Sequence, residues 1–354
     1  MIKYNFSPGP AKLNNSVLEI VNKNIIEYQE EGISILEISH RSDSFEKILE
    51  TTKKNLIELL KIPSNYQILF LQGGATFQNT FLGNNINQKK STSNLITGTW
   101  GQKTYEDFIQ IRDSKKILLE NNQILEFLNQ PLPDDIQNTD YMHITSNETI
   151  EGIQINNFNK IENDLIIDSS SDIGSYIFDW DNVAYLYAGA QKNLGIPGVT
   201  ISVVRDDFIE KNDNPTYLNL YKLINKDSLL NTPPTFAIYV LNLVTDWMLT
   251  MGGINYFERQ SIEYSSDVYA LLERYDDHVT LPVENSLRSR MNIVFNFNNE
   301  KNEQAFIKES LDHGIIGIKG HRSVGGVRIS LYNSIDRPSL DYLLGFMNSF
   351  FQKL

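Results

Sequence analysis

Lys192 and Asp168 are the residues whose type and setting point most directly to chemistry. Lys192 lies in Tyr187-Ala-Gly-Ala-Gln-Lys-Asn-Leu-Gly-Ile-Pro-Gly198. The apolar run Val183 to Tyr187 reads as a buried strand, a turn containing glycine and proline follows, and a second apolar run extends from Val199 to Val204. A lysine on short backbone between two strands is kept from bulk water, loses its proton readily and suits Schiff-base formation with an aldehyde. Asp168 closes the run Leu165-Ile-Ile-Asp, 24 residues before the lysine, and is followed by Ser169-Ser-Ser171. A carboxylate at the C-terminal end of a parallel strand sits where open α/β sheets bind ligands. Each residue has an ordinary alternative, a surface lysine in a tight turn and an aspartate capping a helix. Their pairing in this order favours the chemical reading.

The aldehyde that fits the pair is pyridoxal phosphate. Facing its ring nitrogen, Asp168 would keep that nitrogen protonated and let the ring accept electrons from a carbanion. Leu71-Gln-Gly-Gly-Ala-Thr-Phe-Gln78 follows a strand and opens a helix, so the free N–H groups at Ala75 and Thr76 could receive a phosphate. It lacks the Walker lysine pattern and the dinucleotide fingerprint. Trp100, between Gly98 and Gly101, could stack its accessible face on an aromatic ring, although a core tryptophan would read the same way. Thr149 of Asn147-Glu-Thr149 could hydrogen-bond a phenolic oxygen or simply form a turn. Asn231-Thr-Pro-Pro234 reads as a helix start with Thr232 as cap, a second available phosphate site.

Strands and helices must alternate to hold these residues. Helices are expected over about 16–30, 44–60, 233–250, 254–276, 300–313 and 339–351. Strands are expected at 68–71, 95–97, 116–119, 141–145, 165–167, 183–187, 199–204, 292–297 and 327–331. Several strands are continuously apolar, as expected when both faces are covered, which predicts an α/β fold with a mainly parallel central sheet, followed by a smaller α+β domain. Asn5-Phe-Ser-Pro-Gly-Pro-Ala11 cannot be helical and reads as an arm. The 354 residues include 31 basic and 44 acidic side chains, a net charge of -13 that disfavours nucleic acid or an anionic membrane as partner. Cysteine is absent, so disulfides, thiolate metal sites and a cysteine nucleophile are excluded, and no metal site is expected. With no signal-peptide core and no apolar run of about 18 residues, the expectation is a soluble, unprocessed, cytoplasmic protein.

Seven segments carry a resemblance to the phosphoserine aminotransferases, fold type I pyridoxal phosphate enzymes of the class-V group. They are Asn5-Phe-Ser-Pro-Gly-Pro, Ser39-His-Arg-Ser, Leu71-Gln-Gly-Gly-Ala, Asn147-Glu-Thr-Ile-Glu-Gly, Ala190-Gln-Lys-Asn-Leu-Gly, Asn231-Thr-Pro-Pro-Thr-Phe and Lys319-Gly-His-Arg-Ser-Val-Gly-Gly-Val-Arg. The resemblance implies a large cofactor-binding domain over 15–255 and a small domain of 1–14 with 256–354. It makes Lys192 the Schiff-base lysine, Asp168 the ring-nitrogen partner, Trp100 the stacking ring and Thr149 the partner of the cofactor hydroxyl. The cofactor phosphate falls to Ala75, Thr76 and Gln191, with Asn231 and Thr232 supplied by the second subunit of a homodimer.

The substrate side has its own signal. Between Gly314 and Ile335 stand Lys319, His321, Arg322 and Arg328 with no acidic residue, and His40 with Arg41 makes a second small cluster. Arginine forks bind carboxylate and phosphate, so two clusters fit a substrate with an anion at each end. By resemblance Arg328 takes the α-carboxylate. His40, Arg41, His321 and Arg322, with Ser7 from the arm, then hold the phosphate of phosphoserine or the side-chain carboxylate of glutamate. The implied reaction converts 3-phosphohydroxypyruvate and glutamate to phosphoserine and 2-oxoglutarate in serine biosynthesis; the bacterial family also suggests 3-hydroxy-2-oxo-4-phosphooxybutanoate in pyridoxine biosynthesis. Alternatives are another class-V-like aminotransferase or a non-catalytic phosphate-binding protein on the same scaffold. A cysteine desulfurase is disfavoured by the missing cysteine. Ile329 and Thr145-Ser146 depart from the common family pattern and touch no catalytic role.

Overall fold

The computed structural model describes residues 3–130 and 138–354, so Met1 and Ile2 of the arm lie outside the described residues. The chain enters through β1 (Tyr4–Asn5), α1 (Asn15–Ile26) and α2 (Asp43–Leu60), the last begun by Ser42, whose hydroxyl accepts from the Phe45 N–H. Alternation follows through β2 (Tyr66–Leu71), α3 (Gly74–Asn85), β3 (Thr92–Ile96), α4 (Thr99–Phe108), β4 (Lys115–Leu118), α5 (Asn121–Asn129) and β5 (Tyr141–Thr145). A two-stranded ribbon, β6 (Asn147–Glu148) with β7 (Ile153–Gln154), precedes β8 (Asp164–Asp168), β9 (Val183–Gly189) and β10 (Thr200–Arg205). The rest comprises α6 (Leu220–Asn225), α7 (Thr235–Thr250), α8 (Ile254–Glu273), β11 (Val279–Thr280), β12 (Asn292–Phe297), α9 (Glu300–Asp312), β13 (Ile315–Ile316), β14 (Val327–Ser330) and α10 (Arg337–Phe351).

Seven strands form the central sheet in the order β2-β10-β9-β8-β5-β3-β4. All run parallel except β10, which is antiparallel to both β2 and β9. Every residue of β5 and β9 is buried, which accounts for the unbroken apolar character of β9. Successive residues of a strand still alternate between faces. Met142, Ile144, Leu186 and Ala188 pack on one side with Val17, Phe45 and Val240, whereas Tyr141, Tyr185 and Tyr187 face a separate cluster with Phe81 and Phe108. Six strands therefore end at the same edge of the sheet, the edge where ligands meet such folds.

A second core holds the antiparallel strands β11, β12 and β14 together with α9 and α10, and Phe6 of the arm is buried in it. Helix α8 joins the two cores: Phe257 packs in the first, and Tyr264, Val268 and Leu271 pack in the second. The expected boundary at residue 256 therefore falls inside a continuous helix. No single described helix is long and apolar enough to cross a membrane.

Several expected boundaries move, those of three helices among them. The first helix stops at Ile26 instead of 30, because Tyr28 turns into the core and meets the Tyr239 ring edge-on at 5.8 Å. The Tyr28 N–H then bonds the Ile33 carbonyl at 2.8 Å, closing a loop through Gln29 and Glu30 at φ 45° and 64°. Helix α8 ends at Glu273, short of 276. Helix α7 begins at Thr235 and not at 233, so Thr232 is not its cap. Each proline disfavours helical backbone in the residue before it, which holds Thr232 and Pro233 outside the helix.

Candidate active site

Lys192 occupies the connection between β9 and β10, whose ends are tied by Gly189 opposite Thr200 and by the Ala190 N–H to Val199 carbonyl bond of 3.1 Å. Its side chain lines a cavity of about 530 Å³ together with the arm residues Pro8, Gly9 and Pro10. That volume lies within the range of cofactor and small-ligand sites. The Lys192 Nζ donates to Thr149 Oγ1 at 3.0 Å. Burial drives the amine down to about 8, against the pull of the Asp168 and Asp172 carboxylates. A lysine so placed gives up its proton far more readily than one in water.

Asp168 ends β8, level with Thr145 on one neighbour and Tyr187 on the other, and lines the same cavity. Its Oδ1 accepts the Ser170 N–H at 2.9 Å. Burial raises its pKa, opposed by the Ser170 hydrogen bonds and by Lys192, so the carboxyl would be stabilised as an anion by a further N–H⁺ donor. Asp172 is the rival for that role, and its surroundings decide against it. It accepts from Ser146 Oγ at 2.7 Å, Ser169 Oγ at 2.8 Å and Gln154 Nε2 at 3.1 Å, and it does not line the cavity. It braces the floor instead.

Phosphate-binding geometry is present at the first turn of α3. Gly73 caps the helix at φ 91° with no side chain, and Gly74, Ala75 and Thr76 line the cavity. Donor N–H groups at a helix start, unopposed by a capping carboxylate, suit an anion. Gln191 borders the same space, and Trp100 presents its ring from the first turn of α4. Arg328, on β14, donates to the Thr149 carbonyl at 3.2 Å, while its buried Nε has no partner among the described residues. An orphaned guanidinium donor facing a cavity with a lysine, an aspartate and a helix start fits pyridoxal phosphate with a carboxylate-bearing substrate.

The structure gathers Lys192, Asp168, Ala75, Thr76, Trp100, Thr149, Gln191, His321 and Arg328 around one cavity. It does not bring Ser7, His40, Arg41, Arg322, Asn231 or Thr232 to the lining within one chain. Ser7 sits against Gly317, where an added Cβ would lie 2.2 Å from its hydroxyl. Arg322 is exposed because residues 321–325 form a tight turn, closed by the Gly325 N–H to His321 carbonyl bond of 2.8 Å, and neighbouring turn residues point apart. His40 is half-buried and Arg41 exposed on the loop before α2. Asn231 and Thr232 are exposed, and the Thr232 carbonyl accepts from Gln72 Nε2 at 3.0 Å.

Sequence reasoning passed over two features. Lys103 lines the cavity with its Nζ 5.8 Å from the centre of the Trp100 ring, a contact legible only from their spacing of three on a helix. The glycines around Trp100 do more than expose its face. An added Cβ on Gly98 would stand 2.6 Å from Glu151 Oε2 and 2.7 Å from Glu148 Cδ, so Gly98 makes room for two carboxylates.

Comparison with known proteins follows the same lines. Residues 3–343 match the family model described as aminotransferase class-V. The phosphoserine aminotransferase of Geobacillus kaustophilus is 38% identical over 357 residues, covering 98% of each chain. Among solved structures, the phosphoserine aminotransferase of Bacillus circulans subsp. alkalophilus superposes with a TM-score of 0.91 at 36% identity, covering 99% of both chains. The pyridoxal phosphate-bound phosphoserine aminotransferase of Trichomonas vaginalis gives 0.88 at 28% identity, covering 98% of this chain and 99% of that one.

Proposed function

We propose, for a chain that belongs to the class-V aminotransferase family, the reversible transfer of an amino group between glutamate and 3-phosphohydroxypyruvate, giving phosphoserine and 2-oxoglutarate. It is a pyridoxal phosphate-dependent aminotransferase, and the reaction places it in serine biosynthesis. The observation that carries the reading is the Lys192 amine, depressed by burial, in one cavity with Asp168 and 3.0 Å from Thr149.

When bound, pyridoxal phosphate supplies an aldehyde for an amine and a ring that draws electrons from the carbon bearing it. Lys192 would offer its Nζ to that aldehyde and, when not joined to it, would take up on Nζ the proton leaving the substrate Cα. Thr149, which accepts from Lys192, would donate its hydroxyl to the phenolic oxygen of the cofactor. Asp168 would hold a proton on the ring nitrogen by remaining charged beside it. Ala75, Thr76 and Gln191 would hold the phosphate through backbone and amide donors. Arg328 grips the substrate carboxylate, orienting Cα toward Lys192. The carboxylate and phosphate of successive substrates share one cationic end, with His321 from this chain.

The remaining cations come from a second copy of the chain in this reading. Leu18, Ile20, Ile25 and Ile26 of α1, with Ile33 and Leu36 beyond it, expose 37–80% of their surfaces on the segment that leads into His40 and Arg41. Such a cluster favours coverage by another subunit. The dimer then delivers His40 and Arg41 to the substrate phosphate and Asn231 and Thr232 to the cofactor phosphate, with Arg322 and Ser7 closing the pocket.

A coupled assay with phosphoserine and 2-oxoglutarate on cofactor-loaded protein tests the function, with unphosphorylated serine as control. Turnover of phosphoserine well above serine supports it. Equal turnover of both removes the phosphate pocket.

A further inference from the structure

The first turn of α4, which carries Trp100, has no cap of its own. Its N-cap is Gly98, which brings no side chain. The donors are taken instead by two glutamates from the segment that carries Thr149. Glu148 Oε2 accepts the Trp100 N–H at 2.9 Å, and Glu148 Oε1 accepts the Gly101 N–H at 2.8 Å. Glu151 Oε1 accepts the Thr99 N–H at 3.0 Å and the Thr99 hydroxyl at 2.5 Å. Glu148 is 0% exposed, and its carboxyl does not line the cavity. It therefore touches neither cofactor nor substrate. A buried carboxyl bound to two backbone donors is a stiff link, and this one joins the backbone at Trp100 to the segment that carries Thr149.

We infer that Glu148 is the positioning residue of the cofactor ring, fixing the height and tilt of Trp100 relative to Thr149 by clamping the backbone of the tryptophan to the strand that precedes the threonine. The inference rests on pyridoxal phosphate occupying this cavity. Nothing else among the described side chains accepts the Trp100 and Gly101 N–H groups, and Gly98 and Gly101 leave the carboxylate its space. Burial first, then the charge of Glu151, pushes the Glu148 carboxyl up to about 8, with the two N–H groups pulling the other way and Asp168 adding to the rise. Glutamine therefore resembles the native group in charge near neutral pH, and what it removes is the second acceptor oxygen.

The experiment is a double-substitution cycle on full-length protein, Glu148→Gln with and without Trp100→Ala, reading the dissociation constant of pyridoxal phosphate and the circular dichroism of its absorption band. In the presence of Trp100, Glu148→Gln should raise the dissociation constant about tenfold and reduce the band. With Trp100 already alanine, the same change should matter less than about twofold, since coupled residues are non-additive. Equal fold-changes in both backgrounds overturn the inference and leave Glu148 a structural cap. If Glu148→Gln yields no folded protein, Glu148→Asp, which keeps both carboxyl oxygens but is one methylene short of both donors, is read in the same cycle with the same two outcomes. Wild-type protein that binds no pyridoxal phosphate would refute the reading of the site itself. Binding with an additive cycle refutes only the role of Glu148.

Discussion

Around Lys192 the side chains are held by strand ends and buried hydrogen bonds, whereas most cations expected to grip the substrate stand on loops and face solvent. Asp168, Thr145 and Tyr187 are level across three strands, and Asp172 beneath them is bonded through three side chains. At the other end only Arg328 belongs to a described strand, and Arg41 and Arg322 are exposed. The cofactor end is thus nearly complete in one chain, and the anion end is not. The difference follows from what each must do. Proton transfer at Cα demands fixed geometry. In the proposed reading, a pocket that admits either a phosphate or a carboxylate tolerates looser supports, and assembly where two chains meet would complete it.

Substitutions can break this contrast in graded steps. Lys192→Ala should lower transamination by at least about 10⁴-fold, the upper scale of a positioned acid–base group, while the melting temperature of the cofactor-free protein changes little. Steady-state turnover near the native rate would show that another amine does the work. Arg328→Ala, at the junction of the two ends, should cost about 2–5 kcal/mol in kcat/KM for every amino-acid substrate, as expected on truncating one side of a buried charge pair. A loss confined to phosphoserine would move Arg328 to the phosphate.

Arg41→Ala should cost about 1.5–3 kcal/mol in kcat/KM for phosphoserine, the scale of a charge-assisted hydrogen bond, and much less for alanine. Equal losses for the two would show that the loop acts through folding. Sedimentation of an Ile26→Asp variant sharpens the point. A shift to monomer should remove the preference for phosphoserine while borohydride still traps pyridoxal phosphate on Lys192. Retention of that preference in a monomer would place the whole anion end in one chain.

The smallest effect is on pH. Because burial lowers the Lys192 amine from 10.5 to about 8, it is protonated below that pH and free above it. Trapping of pyridoxal phosphate at Lys192 should rise with pH and level off above about 8. The native state binds fewer protons than the unfolded chain between the two values, so this group adds stability to the cofactor-free protein as pH rises from about 8 toward 10.5. A trapping profile still climbing at pH 10 would mean an exposed, ordinary lysine.

Much of the cofactor end was legible in the residues because its signals are local. Continuous apolar runs with Asp168 at one end and Lys192 beyond another leave few arrangements for a parallel sheet, and the structure places both at its ligand edge. The anion end was legible only as composition. A stretch lacking acids gave its sign, yet His321 faces the cavity and Arg322 does not, because the direction of a side chain in a turn depends on the hydrogen bonds that close it. Thr232 was misread as a cap because local preference for a hydroxyl at a helix start was set against two prolines that delay the start.

Residue types and short-range spacing by themselves determined the layered α/β architecture, the lysine and aspartate, the glycine-bearing start of α3 and the exclusion of thiol chemistry, since each follows from backbone periodicity or from the side chain's own reactivity. Tertiary structure alone decided that β10 inserts between β9 and β2, that Asp172 is braced away from the cavity, and that Glu148 caps the helix bearing Trp100. These depend on contacts between segments tens of residues apart, where burial and hydrogen-bond satisfaction are settled by packing and leave no periodic trace in the chain.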